Sequence, residues 1–131
     1  MPDFLDTNII LYSILTDDLR KAEKAIALLR SGDVISVQVL NEMISVLRGR
    51  KRWSWNDTKS VLQATKDILE ICDLTLESQT LAVEIAGRFN YFIYDANIIA
   101  SAKLADCTHL WSEDMQHGQV IEGVQIRNPF A

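Results

Sequence analysis

Four carboxylic acids far apart in the chain, Asp6, Glu42, Asp95 and Asp114, are the residues whose type and placement point to chemistry. Each stands where an apolar segment ends or a helical pattern begins. Asp6 closes Phe4-Leu5 and opens Thr7-Asn8-Ile9-Ile10. Glu42 lies within Val39-Leu40-Asn41-Glu42-Met43-Ile44. Asp95 begins Asp95-Ala96-Asn97-Ile98-Ile99, and Asp114 follows His109-Leu110-Trp111-Ser112-Glu113. In an open α/β sheet, ligands gather outside the carboxyl ends of the strands. Carboxylates brought together there repel one another, and a divalent cation relieves the repulsion. Mg²⁺ takes carboxylates, retained waters and phosphate oxygens. The four acids therefore predict metal-assisted attack on a phosphodiester.

Taken one at a time, each acid has an ordinary explanation. Asp6 and Asp95 are good helix N-caps, Asp114 suits a polar turn, and Glu42 suits a solvated helix face. The combination carries the chemical reading. Two acids follow predicted strands, a third opens an apolar helix, and a fourth lies at the rim of another. Thr7, Asn8, Ser112 and Glu113 adjoin them and are candidates to orient them. A basic run, Arg48, Arg50, Lys51 and Arg52, survives in an otherwise acidic chain. It reads as a helix end opposing the dipole or as a phosphate contact in RNA binding, and the two readings are compatible. Trp53 and Trp55 beside it are candidates to stack on bases or to form an interface. Trp111 reads as core. His109, in a strand, and His117, in a loop, are not required by this chemistry.

The positioning elements follow from periodicity. Residues 3–6 form a short strand, and Thr7 to Leu15 a helix leaving it directly. Leu19 to Arg30 is an amphipathic helix stopped at Ser31-Gly32. Val34 to Ser36 is a second strand, and Ser36 caps a helix from Val37 to Leu47 ended by Gly49. On that helix the apolar residues take about half the circumference at ~100° per residue, leaving Glu42 close to the Val46 edge. A further helix begins at Ser54 or Asn56. Residues 71–74 form a third strand, and residues 76–89 a helix. Asp95 to Ala105 is apolar almost all round, so it lies at the centre. Residues 109–112 and Val124 to Arg127 form the fourth and fifth strands. Strands alternating with helices predict a parallel sheet covered on both faces, joined by right-handed crossovers.

The 131 residues, 48% of them hydrophobic, predict one globular domain spanning residues 1–131. No run approaches the ~20 apolar residues that span a bilayer. Met1-Pro2-Asp3-Phe4 lacks the basic and apolar regions of a signal peptide. Cys72 and Cys107 have no metal-ligand spacing and read as free thiols in a reducing cytoplasm. The net charge of −5 argues against coating nucleic acid by bulk electrostatics. It does not argue against a nuclease, because bound cations offset an acidic site.

Phe4-Leu5-Asp6-Thr7-Asn8, Asn41-Glu42, Tyr94-Asp95-Ala96 and Ser112-Glu113-Asp114 resemble, in order and at suitable spacing, the four motifs of PIN-domain nucleases. The resemblance covers nearly the whole chain and is closest to toxins of the virulence-associated protein C (VapC) type. It implies a three-layer α/β/α domain with a parallel sheet of about five strands. It implies a metal-dependent endoribonuclease in which Asp6, Glu42, Asp95 and Asp114 hold Mg²⁺, with Mn²⁺ as substitute, as one ion or two. It also implies a homodimer and a small antitoxin partner. Exposed apolar surface on the helices at Leu19–Arg30 and Lys59–Leu69 points to interfaces as well. A PIN-domain nuclease in RNA processing without an antitoxin shares the same site, and an inactive PIN scaffold would not need all four acids. A phosphoryl-accepting receiver domain fits poorly: Asp57 stands at a helix start, and no Lys follows Lys103.

Overall fold

The computed structural model describes residues 2–31 and 33–131. They form six helices and six strands, with a pair of helices after each of the first three strands. The chain runs β1 (Phe4–Leu5), α1 (Thr7–Leu15), α2 (Leu19–Arg30), β2 (Val34–Ser36), α3 (Val37–Arg48) and α4 (Trp55–Ile68). It continues through β3 (Glu70–Cys72), α5 (Leu76–Phe89), α6 (Ile93–Leu104), β4 (His109–Trp111), β5 (Val120–Ile121) and β6 (Val124–Arg127). The sheet order is β3-β2-β1-β4-β6-β5. All pairings are parallel except β5 with β6.

The order places the first strand in the middle. From β1 the chain moves outward to β2 and β3, then crosses back to enter β4 on the other side. The junction of β1 with β4 is thus a topological switch point, where open α/β sheets form their crevice. Phe4 pairs with Val34 on one side and Leu110 on the other, and all three are buried. Strands covered on both faces read as continuous apolar runs, as Phe4-Leu5 and Val34-Ile35 do.

Local chemistry explains most boundaries. The α2 helix opens on Asp18, whose Oδ1 accepts from the Arg20 and Lys21 amides, and closes on Ser31. Gly32, expected to share that stop, lies outside the described residues, as does Met1. Ser54 rather than Asn56 caps α4, its Oγ accepting from the Asp57 amide at 3.0 Å. Asp57 is therefore a first-turn helix residue and not a strand-end phosphate acceptor. The expected central helix is α6, with Ala96 and Ile98 to Ala102 buried. It starts two residues earlier than Asp95, with Phe92 at the N-cap, so Asp95 lies in the first turn and is not the cap.

Other boundaries depart from expectation. The sheet has a sixth strand, β5, forming a two-residue hairpin with β6 through Glu122 (φ 52°) and Gly123 (φ 82°). Consecutive positive φ values match the twist of a tight hairpin. The third strand ends at Cys72 and not at residue 74. Cys72 pairs with Ser36, where β2 turns into α3 and offers no further partner. Ser36 occupies the N-cap position of α3 while still paired in β2, but its buried hydroxyl makes no cap bond. Gly49 does end α3, at φ −81°, so left-handed geometry is not the reason. A Cβ there would lie 2.6 Å from the Ser45 carbonyl oxygen, and only glycine fits.

Candidate active site

The end of β1 and the end of β4 are tied together by the Asp6 amide, which donates to the Trp111 carbonyl at 2.9 Å. At that seam Asp6 caps α1: Oδ1 accepts the Thr7 amide at 2.7 Å. Its other oxygen, Oδ2, accepts the Ser112 hydroxyl at 2.7 Å. Ser112 is fully buried, and its Oγ also accepts the amides of Asp114 at 3.2 Å and Met115 at 3.3 Å. One hydroxyl therefore fixes Asp6 and the turn that carries Asp114.

The first turn of α1 holds two of the other acids. Thr7 Oγ1 donates to Glu42 Oε1 at 3.1 Å, and Asn8 Nδ2 donates to Asp114 Oδ2 at 2.9 Å. Gln38, one turn before Glu42 on α3, donates Nε2 to Glu42 Oε2 at 3.1 Å. Asp95 completes the group from the first turn of α6. Asp6 is influenced by the charges of Glu42 and Asp95, and Asp95 by those of Glu42 and Asp114. Four side chains from four places in the chain thus converge at one end of the sheet.

The electrostatics of the group are those of carboxylates without counter-ions. Burial, opposed by the Ser112 and Thr7 hydrogen bonds and reinforced by Glu42 and Asp95, pushes the Asp6 carboxyl up to about 7. Burial first, then the Glu42 and Asp114 charges, raises Asp95 in the same direction. The ion pairs among the described residues are Lys21–Glu113, Arg88 with Glu84 and Glu122, and His109–Asp3, none involving the four acids. Among the described residues no three His, Cys, Asp or Glu side chains form a ready-made ligand shell. Mg²⁺ needs none: it keeps several waters and is held through one or two carboxylates. An all-oxygen donor set around a buried carboxylate of raised pKa fits a hard divalent cation.

The remaining candidates divide. Glu113 does not turn toward the four acids. Its amide donates to Asn8 Oδ1 at 3.4 Å, while its carboxylate takes the Lys21 ammonium at 2.7 Å and the Tyr12 hydroxyl. Burial opposes ionisation of Glu113, but those two partners outweigh it and hold the carboxyl below its ordinary range. Arg50 and Lys51 line an open cleft of about 440 Å³ that reaches Asn8, Tyr12 and Asp114. Arg48 is committed locally: its Nη1 donates to the Trp53 carbonyl at 2.7 Å, and its guanidinium lies 4.4 Å from the Trp55 ring centre. Arg52 is exposed at φ 55° in the same loop. Trp53 packs on the core, whereas Trp55 is 53% exposed. Trp111 is half-buried and donates Nε1 to Asp3. His117 Nδ1 accepts the Asn128 amide at 2.8 Å, which occupies its acceptor nitrogen. Cys72 and Cys107 are free thiols, and burial pushes Cys107 up to about 12.

Three partners of these acids lie outside the motifs read from the sequence: Gln38, which bonds Glu42, and Tyr12 and Lys21, which bond Glu113. Only Gln38 had a local signal, its i, i+4 spacing to Glu42 on one helix.

Comparison with known proteins gives a consistent result. A family model described as PIN domain matches residues 4–121. VapBC-1 from nontypeable Haemophilus influenzae is similar in structure, with TM-score 0.74, 18% identity and 100% of each chain covered. A toxin–antitoxin complex from Klebsiella pneumoniae gives TM-score 0.71, 20% identity and 97% of each chain. Mycobacterium tuberculosis VapC20, described as a sarcin–ricin-loop-cleaving toxin, gives TM-score 0.67, 18% identity, and 82% of this chain against 86% of that one. No curated protein matches the sequence.

Proposed function

The chain belongs to the PIN-domain family, and from that premise we propose that it is a divalent-metal-dependent endoribonuclease, the toxin of a toxin–antitoxin pair. The observation that carries this reading is the convergence of Asp6, Glu42, Asp95 and Asp114 at the switch point of the sheet without a basic partner among the described residues. Asp6, Asp95 and Asp114, with Glu42 beside them, are the residues that would hold Mg²⁺ or Mn²⁺. Such an ion, when bound, supplies a Lewis acid for water activation and for the phosphodiester oxygens.

The chain's own residues do the rest. Ser112 fixes Asp6, Thr7 and Gln38 fix Glu42, and Asn8 fixes Asp114, so the carboxylate oxygens are oriented before substrate arrives. Preorganised groups cost little reorganisation during reaction. Arg50 and Lys51 offer phosphate contacts along the cleft that leads to Asp114. Attack by water in place of a ribose 2′-hydroxyl, forming the new P–O bond as the bond from phosphorus to the 3′-oxygen breaks, leaves a 5′-phosphate and a 3′-hydroxyl.

The solved relatives support the biological setting: one is a toxin–antitoxin complex and another a toxin that cleaves the sarcin–ricin loop. Among the described residues no helix is long and apolar enough to cross a membrane, which is compatible with action on cytoplasmic RNA. The test is cleavage of structured and unstructured RNAs by the purified protein with Mg²⁺, Mn²⁺ or EDTA. Cleavage with either metal and none in EDTA is expected. Equal cleavage in EDTA refutes the metal mechanism, and no cleavage of any RNA with metal refutes the enzyme.

A further inference from the structure

We propose that Lys21 is a positioning residue which, with the Tyr12 hydroxyl, holds the Glu113 carboxylate away from the four-acid cluster and so sets how strongly that cluster binds a divalent cation. The inference rests on the metal-site reading given above. The site turn divides its acids. Ser112, Glu113 and Asp114 are consecutive, yet Ser112 and Asp114 serve the cluster while the acid between them is neutralised elsewhere.

The geometry accounts for the separation. Asn8 and Tyr12 are four residues apart on α1, so they share a face with Cβ atoms about 5–6 Å apart. Asn8 holds Asp114 and Tyr12 holds Glu113, so two adjacent acids dock on successive turns of one helix. Lys21 closes the arrangement from α2. Its amide donates to Asp18 Oδ1 at 3.3 Å, anchoring it in the first turn. Its ammonium lies 2.7 Å from Glu113 Oε2, 4.9 Å from the Tyr12 ring centre and 5.4 Å from that of Phe130. Aromatic faces attract a cation, and Tyr12 and Phe130 meet edge to face at 5.6 Å. The lysine is thus held by two rings and a carboxylate, whereas an ordinary surface ion pair has no such cradle.

Removing the cation would leave Glu113 tethered only by the Tyr12 hydroxyl, one helical turn from Asp114. A fifth carboxylate near the cluster tightens binding of a hard cation, because affinity follows ligand charge. The bland alternative is that the ion pair merely staples the 112–116 turn to α2. That role would alter stability without altering metal affinity through Glu113.

The test is calorimetric titration of Mn²⁺ into the intact protein and its variants, with circular dichroism to check folding. Lys21→Met should bind Mn²⁺ roughly tenfold tighter, at the lower end of the ~10–100-fold scale on which partners of metal ligands act, while Lys21→Arg and the double variant Lys21→Met/Glu113→Gln should stay within about twofold of wild type. Should Lys21→Met fail to fold, Lys21→Gln takes its place with the same expectation. Lys21→Met with wild-type affinity overturns the proposal and leaves a structural staple. A double variant as tight as Lys21→Met overturns it too, because lost charge alone would then explain the effect. Wild-type protein that binds no Mn²⁺ refutes the metal-site reading and this inference with it, an outcome distinct from the other two.

Discussion

Asp6 does two jobs, and its substitution separates them. One oxygen caps α1 and the other faces Ser112 in the acid cluster. Asparagine also caps helices well, so Asp6→Asn should fold while removing a charge from the site. Cleavage by Asp6→Asn or Asp95→Asn should fall by more than the ~10–100-fold that loss of a ligand's supporting partner costs, with the circular dichroism spectrum unchanged. Unfolding of both variants would show that the fold and not the chemistry requires these acids. The raised Asp6 pKa adds a prediction with a definite sign. The folded protein keeps a proton on Asp6 up to about 7, whereas the unfolded chain releases it near the ordinary 3.8. Between those values the native state binds more protons, so this group's contribution to stability falls as pH rises through the window and is flat above it. The melting temperature of metal-free wild type relative to Asp6→Asn should therefore decline from about pH 4 to about pH 7, and Mg²⁺ should recover it at the upper end by mass action. A relative melting temperature that rises over the same window would contradict the burial argument. Asp6, Asp95 and Asp114, with Thr7, Asn8 and Ser112, stand out in the sequence because each lies at or close to an element boundary, whereas Glu42 sits in the middle of α3 and is marked only by its place at the edge of that helix's apolar face. The disposition of Glu113 was not legible, since its cation lies 92 residues away and adjacency to Asp114 gives no hint of it.

Helices with an amphipathic stripe and a stop were readable to within a residue or two, as α2 and α3 show. Short strands were less so, because their limits are set by partners. Residues 73 and 74 continue the pattern of β3, but β2 has already turned away. The β5–β6 hairpin escaped notice because Glu122-Gly123 is a weak turn signature, and two residues are too few to show alternation. Gly49 teaches a related lesson: the helix stop was legible, but its cause was not the left-handed cap that glycine usually signals. Gly49→Ala should destabilise the protein by about 1–3 kcal/mol, the range for forcing an extra carbon into an occupied space. The Cβ would collide with backbone, which cannot rotate aside. Urea unfolding measures the change. Stability equal to wild type would mean that the α3 terminus can shift freely, and with it the loop carrying Arg50 and Lys51.

At the scale of the molecule, the proposed activity requires an acidic chain to recruit a polyanion and, in a toxin–antitoxin pair, to be held in check. The net charge is −5, and the cations best placed to help are Arg50 and Lys51 on the cleft beside Asp114. Long-range attraction is therefore weak, and on the proposed function RNA binding would depend on local contacts and on the metal. The same acids would attract a basic side chain from a partner protein, which would compete with both metal and RNA. Apolar surface offers the rest of such an interface. Leu19 on α2 is 75% exposed, while Trp55 and Ile68 on α4 are 53% and 57% exposed. Exposed apolar groups that cluster into large patches mark association sites. We expect a homodimer by light scattering, and recovery of one small protein in pull-downs from the native host. Expression alone should arrest growth, co-expression with that partner should relieve the arrest, and Asp95→Asn should abolish it without changing the assembly state. Leu19→Glu should weaken association while leaving RNA cleavage by the purified protein intact, since Leu19 makes no contact with the acids. A monomer that recruits no small partner and arrests nothing would instead place this nuclease in RNA processing, where the same four carboxylates serve without an inhibitor.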